Sequence, residues 1–115
     1  MTNYEQVDGA AVNKDLNKTI QEKGGTGQVF ARSAEAMSLS LFDLKTNELY
    51  KVTGGVKNQR KTLPKEAQKA LIAGETVANH DLKSQDIQGS PSQKNQRIVQ
   101  SVSNSGKKVR KLFPW

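Results

Sequence analysis

The residues best placed to do chemistry lie near the C-terminus, in the string GKKVRKLFPW. Lys107, Lys108, Arg110 and Lys111 set four cations within five residues, and Phe113 and Trp115 follow them. Each cation that neutralises a phosphate releases a counterion, and an aromatic ring stacks on any exposed base, so this composition suits nucleic acid. The same string would also lie on an anionic bilayer with Trp115 at the interface, or seat its aromatic residues in a pocket of another protein. A second basic cluster, KNQR, occurs twice, as Lys57 to Arg60 and as Lys94 to Arg97, and Lys61 extends the first copy. Lysine and arginine fix a protein on phosphates, while Asn, Gln and Arg can hydrogen-bond base edges. The expected partner-binding residues are therefore Lys57, Arg60, Lys61, Lys94, Arg97, Lys107, Lys108, Arg110, Lys111, Phe113 and Trp115.

Catalytic constellations are sparse. His80 is the only histidine, and adjacent Asp81 is poorly placed to orient its ring because neighbouring side chains diverge. No G-x-S-x-G elbow supplies a nucleophile. Asp43 and Glu48 would flank a turn as a carboxylate pair, an arrangement that usually serves solvation. With no cysteine, one histidine and no calcium-loop pattern, there is no metal-ligand set. The stretch KGGTG, Lys23 to Gly27, resembles the start of the variant phosphate-binding loop of ParA- and MinD-like ATPases. Gln28 and Val29 then stand where that loop needs its second lysine and its magnesium-binding hydroxyl. A helix, not a buried strand, precedes it. Gly24 and Gly25 read instead as a helix stop. The expectation is a protein that is not an enzyme and has no catalytic residue, metal, cofactor or small-molecule substrate.

Charge is unevenly distributed. Residues 1–49 carry five Lys/Arg against seven Asp/Glu, whereas residues 50–115 carry thirteen against four, and no carboxylate side chain follows Asp86. Such a basic C-terminal section calls for an anionic partner. Leu, Ile, Val and Phe make up only 25 of 115 residues, close to the level of roughly 20% below which chains fail to bury enough apolar surface to fold. The core is expected to be thin and the isolated chain marginal in stability. No apolar run is long enough to span a membrane, and the N-terminal residues do not read as a signal peptide, so the expected location is the cytoplasm or a virion.

The elements that must position these residues are read from spacing. Val12, Leu16 and Ile20 at i, i+4 and i+8 predict a helix, with Asp8 as its cap. Met37, Leu39 and Leu41 alternate with Ser38 and Ser40, the period of a half-buried strand, and Thr46 and Asn47 offer a turn. Residues 37–53 thus predict a β-hairpin. Thr62 as cap, Pro64 in the first turn and Gly74 as stop predict a second helix. Ser90, Pro91 and Gln93 form a capping-box pattern ahead of a thin Ile98, Val99, Val102 stripe, a segment able to dock as a helix or stay extended.

The expected fold is therefore α+β: a small helix–β-hairpin–helix body over residues 1–75, a polar linker over 76–89, and a polar, basic C-terminal arm over 90–115, extended or ordered by a partner. The expected function is that of a non-enzymatic accessory or structural component of a larger assembly, of virion or ribonucleoprotein type. Its arm would contact nucleic acid through phosphates or neighbouring protein subunits; a membrane surface is not expected. The alternative is a small phage or host regulator or inhibitor that binds a protein target through the hairpin and the arm.

Overall fold

The computed structural model describes residues 9–112, and within them every regular element is helical. Helix α1 is Gly9–Glu22, α2 Val29–Phe42, α3 Thr46–Thr53, α4 Lys65–Lys83 and α5 Pro91–Arg110, with one 3₁₀ turn at Arg60–Thr62. The expected α1 forms and buries Leu16 and Ile20, while the proposed Asp8 cap lies outside the described residues. The helix stops where the glycines predict. The Gly25 amide bonds to the Ile20 carbonyl and the Gly24 amide to that of Gln21, the paired closure of a Schellman turn, with Gly24 at φ 92°.

The expected β-hairpin is not there, and the fold is all-α rather than α+β. Residues 37–42 finish α2, and residues 46–53 form α3. The alternation misleads because α2 turns serines inward. Its buried residues Val29, Ser33, Met37, Ser40 and Leu41 follow helical spacing, Ser38 is buried beside them, and Leu39, expected inside, is 43% exposed. Two of those hydroxyls find local partners: Ser40 donates to the Ala36 carbonyl at 2.6 Å and Ser38 to that of Leu44 at 2.7 Å. The left-handed residue of the turn is Asp43, at φ 57°, whereas Asn47 lies inside the first turn of α3. Glu48 accepts from the Lys45 amide at 3.0 Å to close the start of that helix, a helix-start role and not half of a turn pair.

The C-terminal arm is corrected as well. Residues 91–110 are a helix packed into the body, with Ile98, Val102 and Val109 fully buried. Ser90 and Gln93 form the expected capping box, each side chain accepting from the other's amide. Gly74 does not end α4, which runs through the position expected to divide body from linker. The α5 helix packs most extensively on α2 and also along α4; α1 lies on α4, and α3 folds back on α2.

Small residues make these approaches possible. A Cβ on Gly106 of α5 would sit 2.6 Å from Cβ of Ser40, and one on Gly74 of α4 would sit 2.6 Å from Sδ of Met37. Met37 sulfur is also 3.2 Å from the Gly106 position, so one thioether of α2 fills the space left open by a glycine on each neighbouring helix. The two sites differ in compliance, since Met37 ends in a flexible thioether and Ser40 Cβ is fixed to its backbone. Replacing Gly with Ala in a helix gains about 1 kcal/mol of propensity, and overpacking costs about 1–3 kcal/mol. Gly106→Ala is therefore expected to lower stability in urea denaturation, while Gly74→Ala stays near the parent. A Gly106→Ala protein as stable as the parent would contradict so close an α2–α5 approach.

Candidate nucleic-acid interface

The α5 helix has two chemically distinct faces. Its inner face is Ile98, Ser101, Val102, Ser105, Gly106 and Val109, all buried. Its outer face is Gln93, Gln96, Arg97, Gln100, Asn104, Lys107 and Lys111, all exposed. At 1.5 Å rise per residue, the span from Gln93 to Lys107 is about 21 Å long. No carboxylate interrupts it.

The expected binding residues divide into four groups. Arg97, Lys107 and Lys111 are exposed on the outer face of α5 and form no ion pair among the described residues. Lys94, Lys108 and Arg110 are on the same helix but reach to its flanks, where Lys108 and Arg110 pair with neighbouring elements. Lys94 lies over the α1–α2 connection, where a Cβ on Gly24 would come 2.8 Å from its Cδ. Lys108 pairs with Asp81 of α4 at 2.6 Å, and Arg110 pairs with Asp43 after α2 at 2.7 Å. Phe113 and Trp115 lie outside the described residues.

Lys57, Arg60 and Lys61 belong to the α3–α4 connection, so the two KNQR copies occupy different structures, one a loop and the other a helix. Lys57 and Lys61 are exposed. Arg60 is committed internally: it donates to the Glu75 carboxylate at 2.7 Å and to the Gly9 carbonyl at 3.2 Å. Composition marks all three alike, and only packing separates them.

The glycine stretch also serves the fold. Lys23 extends to the end of α4 and donates to the Gln85 carbonyl at 2.6 Å. Asn95 of α5 clasps Thr26, accepting from its amide at 3.1 Å and donating to its carbonyl at 3.0 Å. These bonds occupy the lysine and part of the backbone that a phosphate loop would need free. Among the described residues, no three His, Asp or Glu side chains converge as a metal-binding group. His80 is exposed near the end of α4, and Asp81 turns to α5. No helix of the described residues is long and apolar enough to cross a membrane.

Asp81 and Asp43 anchor α5 electrostatically. Burial, the largest influence on Asp81, pushes its carboxyl up, but hydrogen bonds from Lys108 and Ser105 and the charges of Lys108 and His80 together hold it below the ordinary 3.8. Asp43 is lowered chiefly by its hydrogen bond from Arg110, against slight desolvation. A carboxyl whose folded pKa is depressed contributes stability above its unfolded value and loses it as pH falls through the folded one. Thermal stability is expected to decline as pH drops below 3.8, and Asp81→Asn is expected to lower it at pH 7 while narrowing its difference from the parent in acid. A difference constant with pH would remove the Asp81–Lys108 contribution. No protein-family model, curated protein or solved structure matches this chain, so no activity is carried to it from another protein.

Proposed function

We propose that the chain is a non-enzymatic component of a nucleic-acid-containing assembly, of virion or ribonucleoprotein type, and that it contacts nucleic acid with the outer face of α5. The observation that carries this reading is the stripe of Arg97, Lys107 and Lys111 interleaved with Gln96, Gln100 and Asn104, exposed and without a carboxylate over a 20-residue helix. Cations supply sequence-independent attraction to phosphates, and amides between them offer donors and acceptors to base edges. The major groove of duplex DNA, about 12 Å wide, admits a helix of this kind. Lys57 and Lys61 would add a second phosphate contact from their loop. Cytoplasm and virion are the compartments such a role suits.

A regulator that binds a protein is the second reading, favoured by the exposed Leu39, which with Ala36 and Val99 forms an apolar groove beside α5. Lys107 and Lys111 border its continuation and would favour an acidic partner. The two readings separate on salt and sequence. Affinity for duplex and single-stranded nucleic acid of random sequence is expected to fall steeply with salt. The triple substitution Arg97→Gln, Lys107→Gln, Lys111→Gln is expected to flatten the log–log slope on duplex by about 2–3, since each phosphate contact contributes about 0.9. Leu39→Asn, which removes the apolar side chain without adding charge, should leave this binding intact. No binding at about 50 mM salt, or an unchanged slope in the triple variant, would reject the α5 interface and leave the protein-binding reading. Truncating α5 is a poorer test, because it removes Val109 from the core.

A further inference from the structure

Away from α5, a cavity of about 220 Å³ opens where α1, α2, α3 and α4 meet. Leu49, Leu63 and Leu71 give it an apolar floor, and Asn13, Asn58, Arg60 and Glu75 bring polar groups to its wall. Cavities between helices that combine an apolar lining with a few convergent polar groups are where small molecules bind. Burial raises the pKa of the Tyr50 hydroxyl, with the Arg60 charge opposing.

Glu75 is the unusual member. Its side chain is only 5% exposed, and its hydrogen bonds from Arg60 at 2.7 Å and Asn13 at 2.8 Å converge on the same oxygen, Oε2. The other oxygen, Oε1, is buried and accepts no hydrogen bond among the described residues. A buried acceptor left unmatched is costly, so a donor arriving there is favoured. Glu75 lines the cavity, so a donor seated there reaches its carboxylate through a small turn of the last torsion, broad in glutamate, that keeps Oε2 on Arg60 and Asn13.

The charges narrow the choice of donor. Glu75 is already neutralised by Arg60, so a second cation gains little. The Arg60 charge is likewise met by the Glu75 carboxylate, so an anion gains little from it. Apolar cavities of about 150 Å³ hold benzene, so this one admits a bicyclic molecule. We infer that the cavity binds a small, neutral, mostly apolar molecule that donates one N–H group to Glu75.

Indole has this chemistry, and 1-methylindole has nearly the same shape without the N–H. The test titrates each into the full-length chain while following the side-chain amide resonances of Asn13 and Asn58 by NMR. Indole is expected to shift both saturably, and 1-methylindole to bind about tenfold or more weakly, as loss of a hydrogen bond to a charged group predicts. Ala34→Leu, at an exposed residue on the cavity rim, is expected to weaken indole binding by a similar factor without unfolding the chain. Equal binding of the two probes, indole binding unaffected by Ala34→Leu, or no shift at either asparagine up to the solubility of indole would overturn the assignment and leave a hydrated cavity only.

Discussion

Met37 sets the spacing of the bundle. Its thioether lies between Gly74 of α4 and Gly106 of α5, and a methyl group at either glycine would collide with it or with Ser40 alongside. With only 25 large aliphatic and phenylalanine side chains in 115 residues, the chain cannot separate its helices with bulky layers and fill the gaps. It brings them close instead. Serines and glycines on the facing surfaces shorten the interaxial distance, and dispersion between closely packed atoms offsets what the missing aliphatics would have contributed. Ser40, Ser101, Ser105 and Gly106 are parts of this one solution.

The price of such an interior is polar atoms out of water, and each must then find a partner. Most do so locally or across a helix pair: Ser105 donates to Asp81, Gln85 to Ser101, and Asn13 to Glu75. Thr19 and Asn79 join α1 to α4 in the same way. These bonds are directional where dispersion is not, so they also fix helix register. Glu75 and Ser33 are the places where satisfaction is incomplete among the described residues. Glu75 is one of the residues that line the cavity between α1, α2, α3 and α4.

The same packing logic explains what was legible in the sequence. The α1 stripe, its glycine stop, and the Ser90–Pro91–Gln93 start of α5 were readable because capping and turn chemistry are local. The stretch around Met37 was not. Binary patterning assumes that serine marks the solvent face, and in α2 serine marks the closest helix contact, so a period of 3.6 looked like a period of two. Gly74 failed in the mirror-image sense: a glycine that admits a neighbouring helix has the same letter as one that ends its own. The basic C-terminal section looked like an arm because its buried stripe consists of Ile98, Val102 and Val109 with small residues between them.

Charge on α5 is sorted by this arrangement. A 20-residue segment that carries cations and no carboxylate is repelled by its own kind and has to be held by acids from elsewhere. Asp81 and Asp43 supply them, one from each helix that α5 packs against, and each takes a cation on the flank of the buried stripe. Periodicity puts the remaining cations, Arg97, Lys107 and Lys111, opposite that stripe, where they form no ion pair among the described residues. Composition alone could not separate anchoring from free cations, because the assignment depends on helix phase, and the phase is set by Gly106 against Ser40. The exposed cationic face is thus fixed by the contact of Gly106 with Ser40: rotate α5 by one residue, and the glycine leaves the interface as a lysine enters it.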